Sequence, residues 1–291
     1  MSTKTVEKKD SYYRDVLRKF TAHKLAMIGV AVILLEVILV IVLPMIMKLD
    51  PYTSDILAFS AKPGAGHILG TDDTGRDIFA RLVYGGRISL LVGLLSAIIS
   101  LCIGVPLGLI AGYYKGIWET IVMRTADIFM SFPSMILILV SVIGPSVWTV
   151  TLVIGILGWT DFAKLIYGNV LSVREKEYVE SAKAVGTKDI PLLIKYVIPN
   201  AFAPILINFT FRTAQAIIQE SALSFLGMGV QPPEASWGNI LYAAQSITVL
   251  SSRPWLWVPP GILLVLTVSG INFIGDGIRD ALDAKTKIKK K

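Results

Sequence analysis

Only 17% of the 291 residues are charged and 54% are hydrophobic, against roughly a quarter charged in a soluble domain. The deficit sits in long apolar runs, which excludes an ordinary soluble enzyme and points to an all-α integral membrane protein. The net charge of +7 does not argue for nucleic acid, because Lys and Arg flank the apolar runs, as membrane orientation requires. A lone cysteine, Cys102, and two histidines, His23 and His67, exclude a disulfide framework and a histidine-rich metal site.

In chain order, residues 1–24 form a basic leader. From Tyr12 to Lys24, aromatic and aliphatic residues alternate with Arg and Lys, predicting an amphipathic helix at the membrane interface. The first span is Leu25–Met47. It exceeds a signal-peptide core and matches the roughly 20 residues needed to cross a bilayer, so it is expected to be retained. Glu36 at its centre reads as an interhelical contact or a partly snorkelled group rather than a proton carrier. Residues 48–87 form a polar segment containing Asp72, Asp73 and Asp77. Carboxylates among glycines can hold calcium through oxygen ligands, but the spacing is not that of an EF-hand. A solvated turn, with Asp77 capping a short helix, is the preferred reading.

The core, 88–274, holds five more spans: Ile88–Tyr113, Ile121–Ile143 (broken early at Pro133), Val147–Val170, Ala203–Phe225 and Leu256–Ile274. Ser96, Ser100, Gly104, Gly108 and Gly112 recur every fourth residue of the second span, a stripe that admits close helix approach within the chain or toward a partner. Pro106 within it is expected to bend the helix. Gly144-Pro145-Ser146 makes a tight turn between the third and fourth spans. In the fifth, Asn208, Arg212, Gln215 and Gln219 share one face. That stripe suits a water-filled translocation path, or pairing of Arg212 with an acidic partner on another helix. Residues 226–255 form a second polar loop and 275–291 a basic tail.

Six spans put the N-terminal segment, the 174–200 connection and the tail on one side. All three are rich in Lys and Arg, so that side is expected to be cytoplasmic, with both termini inside. The 174–200 insert is unusually long and charged. Glu175–Val185 favours helix, with Val179, Ala182 and Val185 on one side and alanine on a face a partner could approach. Gly186 permits a reversal, since it takes positive φ without a Cβ clash. Asp189 and Pro191 start a second short helix, which Pro199 ends. No phosphate loop, His-Glu-x-x-His or Gly-x-Ser-x-Gly is present, so any ATP must be bound by another chain.

Glu180-Ser181-Ala182, then Gly186, then Pro199 resembles the EAA loop of ABC-importer permeases. Ser221–Pro233 with Ser236-Trp237-Gly238-Asn239, the 272–283 stretch, Leu69–Asp77 and Gly85–Ser89 are similar to segments of dipeptide, oligopeptide and nickel permeases, specifically the shorter of the two subunits. The resemblance implies a type I ABC importer permease fold in a bacterial or archaeal inner membrane. It further implies a second homologous permease subunit, two ATPase subunits that bind ATP and Mg, and an extracytoplasmic binding protein. Glu180, Ser181, Ala182, Gly186, Tyr196 and Pro199 would form the docking knob for an ATPase. Ser181 departs from the motif's alanine and Tyr196 from its isoleucine. The implied cargo is di- or oligopeptide. Nickel or a metal chelate is the alternative within the family, and an ion-coupled secondary transporter is the alternative outside it.

Overall fold

The structure, a computed structural model, describes residues 14–64, 66–132 and 135–282. The extreme basic leader, the Pro133 break and the Lys-rich tail beyond Leu282 lie outside the described residues. A helix over residues 14–22 (α1) is followed by α2, Lys24–Met47, whose first turn is capped by the His23 ring accepting from the Ala26 N–H at 3.1 Å. The described residues of 48–77 contain isolated β-bridges but no strand.

The second span, α3, runs Ile78–Tyr114 and begins well before the predicted Ile88. Asp77 sets the start, its carboxylate accepting from the Ala80 N–H at 2.7 Å. Gly85 and Gly86, expected within the polar segment 48–87, lie inside the helix, where other elements crowd them. A Cβ on Gly85 would stand 3.1 Å from the Ser236 backbone, and one on Gly86 2.9 Å from the Trp237 ring. At 1.5 Å per residue, the 37 residues of α3 extend roughly 55 Å, well beyond the ~30 Å hydrocarbon core.

The predicted third span is two helices, α4 (Gly116–Met130) and α5 (Met135–Ile143), bent by 83° between them. α6 (Val147–Leu157) and α7 (Trp159–Arg174) together make a 28-residue candidate span. Then come α8 (Glu177–Ala184), α9 (Asp189–Leu192), a π-helical turn (Leu193–Val197) and α10 (Ile198–Phe225). Pro199 does not end a helix as expected. It occupies the first turn of α10, directly after the π-helical turn. α11 (Trp237–Leu241), a 3₁₀ turn (Tyr242–Gln245) and α12 (Ile247–Ser252) lead into α13, Pro254–Leu282. Residues 275–282 are therefore helical rather than tail. Gly275 and Gly277 let that last stretch close onto Thr210 of α10 and onto Ala26 of α2. Among the described residues, five helices are long and apolar enough to cross a membrane, and six if the bent α4–α5 pair counts as one span.

α3 is the central rod, packed on α2, α6, α7 and α10. Its small-residue stripe is buried within the chain. The Ser96 and Ser100 hydroxyls donate to the Thr151 and Gly155 carbonyls at 3.0 and 2.8 Å, while Gly108 and Gly112 abut Ile166 and Val170 of α7. Leu34, Leu35 and Ile38 of α2 and Ile262 and Val265 of α13 are exposed. That leaves an apolar exterior of the kind lipid solvates.

Candidate functional site

One end of the bundle carries the α8–α9 hairpin. Val179 and Ala182 bury themselves with Val170, Val173, Leu192, Val197 and Tyr113, which seats the hairpin on α3 and α7. α8 then stops in a paired C-terminal turn. The Thr187 N–H reaches the Ala182 carbonyl at 3.1 Å and the Gly186 N–H the Lys183 carbonyl at 2.9 Å, with Gly186 at φ +84°. This is the Schellman arrangement, which needs a left-handed residue at Gly186. The Tyr113 hydroxyl donates to Asp189, Lys183 sits 4.9 Å over the Tyr113 ring, and Arg174 donates to the Tyr113 carbonyl at 3.0 Å. The base of the hairpin is thus tied to the end of α3.

Glu180, Ser181 and Gly186 are exposed at the tip, as is Pro199 at the start of α10. Tyr196 is half-buried, with its ring 5.9 Å from that of Tyr178. Two expectations are corrected. Ala182, expected on an approachable face, is only 8% exposed and packs inward. Val185, expected beside Val179, lies past the end of α8 and is 82% exposed, because the reversal at Gly186 throws it outward. Ile190 of α9 and Ile194 of the π-helical turn that follows it are exposed as well. Sequence reasoning missed Tyr113, whose only signal is an aromatic residue at the end of a span.

On the side of the bundle, Asn208, Arg212 and Gln215 of α10 open on a shallow cavity of about 440 Å³ together with Asp161 and Lys164 of α7. Arg212 is almost fully buried. Its Nη2 donates to the Ile154 carbonyl at 2.8 Å and its Nη1 stands 3.7 Å from Asp161. The acidic partner considered for it is therefore Asp161. The guanidinium occupies the space that a side chain at position 158 would fill, which accounts for Gly158 between α6 and α7. Gln219 lies off the cavity, its Oε1 buried without a protein partner.

The opposite end carries residues 48–77 with α11 and α12. Asp72 accepts from the Thr74 N–H and hydroxyl, the Arg76 N–H and the Arg76 Nε, the last at 2.8 Å. Burial raises its pKa, but these donors outweigh the burial and hold the carboxyl below its usual range. His67 bonds Asp77 at 2.7 Å, and that bond raises the imidazole above its ordinary value against the opposing effect of burial. Asp72 and Asp77 are thus engaged by this chain's own groups, and among the described residues no cluster of three metal-ligating side chains forms. A feature given little weight in the sequence is Glu220, which is fully buried. It accepts from Ser89 at 3.0 Å and Ser224 at 2.7 Å, while the Ser89 Oγ also accepts from the Trp237 N–H at 3.2 Å. The signal was a carboxylate at membrane depth with serines one and four residues on.

A multi-pass helical bundle with a hairpin projecting from one end is the type I ABC importer permease architecture. A solved structure described as inward-facing conformations of the MetNI methionine ABC transporter matches it with TM-score 0.54 at 20% identity, over 70% of this chain and 97% of that one. Residues 104–288 match the model of the binding-protein-dependent transport system inner membrane component, and residues 11–63 that of the N-terminal TM domain of oligopeptide transport permease C. The chain is 38% identical to the oligopeptide transport system permease protein OppC of Bacillus subtilis, over 98% of this chain and 93% of that protein. It is also 38% identical to the dipeptide transport system permease protein DppC of Alkalihalophilus pseudofirmus, over 95% of this chain and 91% of that protein. The glutathione transport system permease protein GsiD of Pectobacterium atrosepticum is 36% identical over 94% of this chain and 92% of that protein. The chain belongs to the binding-protein-dependent transport system inner membrane component family and is a multi-pass inner-membrane protein of its peptide permease branch.

Proposed function

We propose that this chain is one of two homologous permease subunits of an importer that carries di- or oligopeptides inward, powered by two separate ATPase subunits and fed by an extracytoplasmic binding protein. The α8–α9 hairpin is the cytoplasmic docking knob, so both chain termini are cytoplasmic and residues 48–77 with α11 and α12 face outward. The carrying observation is the contrast within the hairpin. Its inner face is fixed to the bundle by Val179 and Ala182, while Glu180, Ser181, Val185, Ile190 and Ile194 stand out into solvent. Exposed aliphatic side chains on a short hairpin, away from the spans, suit a protein partner. ATP and Mg belong to that partner. Closure of the ATPases would drag the hairpin and, through it, the continuous Asp189–Phe225 helix. Asn208, Arg212 and Gln215 are assigned to the translocation path, with Gln219 farther along α10 and off the cavity they open on.

The names of the reported relatives, oligopeptide, dipeptide and glutathione permeases, support a peptide cargo over a metal chelate. Family membership likewise disfavours an ion-coupled mechanism. Gly186→Pro cannot adopt φ +84°, and Glu180→Lys reverses charge at the tip. Both variants are expected to insert and fold but to lose the ATPase subunits on affinity purification and to abolish uptake. Undiminished co-purification and uptake in both would overturn the docking role. Uptake surviving inactivation of the ATPases would overturn the ATP-driven reading.

A further inference from the structure

A cavity of about 690 Å³ lies at the end of the bundle opposite the hairpin, between residues 72–81 and the α11–α12 region. Its size is that of a small-molecule site, commonly about 300–1,000 Å³. Much of its wall is apolar, from Ile78, Ile240, Val249 and Leu256, and its polar groups are unevenly matched. Three guanidinium groups, Arg76, Arg81 and Arg253, border it against two carboxylates, Asp72 and Asp73. Asp72 is already committed to Arg76 Nε at 2.8 Å and stands 3.7 Å from Arg81 Nε. Asp73 is exposed, and Arg253 Nη1 donates to the neutral Ser60 hydroxyl at 2.7 Å.

Arg81 carries the argument. It is 3% exposed, and its Nη1 is buried with no hydrogen-bond partner in the protein. A buried cation with a vacant donor is costly unless something negative completes it. A carboxylate is the natural complement of a guanidinium fork. Because the space is a cavity of ligand size rather than a flat face, a small carboxylate fits it better than an acidic side chain on a docked protein.

We infer that this outer cavity is a peptide-binding subsite of the permease itself, in which Arg81 takes the free C-terminal carboxylate and the Ile78–Ile240–Leu256 wall takes the adjoining residue. The inference rests on the peptide reading above and deepens it by assigning the permease a binding role in addition to that of the binding protein. Arg253, at the same cavity, supplies a second positive charge that steers the carboxylate inward.

The test is equilibrium binding of trialanine and of its C-terminal amide to the assembled importer without its binding protein, with peptide uptake measured in parallel on the complete system. Wild type is expected to bind trialanine saturably and the amide at least tenfold more weakly. Arg81→Gln should weaken trialanine binding roughly tenfold or more, the scale of a lost charge-assisted bond, and leave amide binding unchanged. Arg81→Lys should recover part of the loss. If Arg81→Gln fails to assemble, Arg253→Gln takes its place, with a severalfold weakening expected for the acid alone. Equal binding of acid and amide, or unaltered trialanine binding in Arg81→Gln or Arg253→Gln, overturns the subsite. So does an Arg81 variant that loses the binding protein while retaining trialanine. An importer that binds trialanine at this cavity but moves no peptide would defeat the transport reading and leave the subsite standing.

Discussion

Glu36 Oε2 accepts the Thr267 hydroxyl at 2.7 Å, tying α2 to α13, while Oε1 is buried with no partner in the protein. The two oxygens of one carboxyl group thus stand in unequal environments. Removing the donor strands both, whereas removing both partners strands neither. Thr267→Val is therefore expected to destabilise the folded subunit by about 1–2 kcal/mol, within the range of buried and interhelical hydrogen bonds. Glu36→Leu combined with Thr267→Val is expected to return to wild-type stability or above it. Thermal unfolding of the purified protein in detergent checks both, and a double variant less stable than Thr267→Val would contradict the argument. The interhelical role of Glu36 was legible in the sequence, because a carboxyl at membrane depth must find company. Its partner was not, since Thr267 is one of many small polar residues whose position depends on how α13 crosses α2.

The α3–α7 seam makes the same point for whole elements. Gly108 faces Ile166, whose Cβ would lie 2.9 Å from a Cβ added there, and Gly112 faces Val170 at 2.7 Å, whereas Gly168 of α7 has nothing within 4 Å. Gly108→Val is thus expected to force the helices apart and sharply reduce the yield of folded subunit. Gly168→Ala should be tolerated, or gain about 0.5–1 kcal/mol from helix propensity. Recovery by size-exclusion chromatography separates the two, and a well-behaved Gly108→Val would refute the close-packed seam. The four-residue period of the stripe was readable from the chain, but which helix fills it was left between this chain and a partner, and only the fold gives α6 at Ser96 and Ser100 and α7 at the glycines. The start of α3 was misplaced for a related reason. Gly85 and Gly86 are small because Ser236 and Trp237 press on them from more than a hundred residues away, and a local reading left them in the polar segment ahead of the span. In the hairpin, Gly186 was legible because only glycine suits its φ, but the inward turn of Ala182 and the outward throw of Val185 depend on where α7 seats the hairpin.

At the scale of the whole molecule, two long rods join the ends of the bundle. α3 starts at the Asp77 cap beside His67 and ends at Tyr113, whose hydroxyl donates to Asp189 of the hairpin. α10 runs from the hairpin to Glu220, where Ser89 of α3 holds both the carboxylate and the backbone of α11. A push on the hairpin therefore reaches the opposite end along two paths, and Tyr113 is the joint between them. Tyr113→Phe keeps the ring beneath Lys183, and so the 4.9 Å cation–π contact, but removes the bond to Asp189. The lost bond is worth about 1 kcal/mol, roughly a fivefold factor in an equilibrium. On the proposed importer reading, the variant is expected to fold, to assemble with the ATPases and to hydrolyse ATP, while moving severalfold fewer peptides per ATP consumed. Measuring uptake and hydrolysis in the same proteoliposomes gives that ratio directly. An unchanged ratio would mean that α10 alone transmits the motion. Loss of ATPase association instead would place Tyr113 in the scaffold that shapes the docking surface, leaving transmission to the helices behind it.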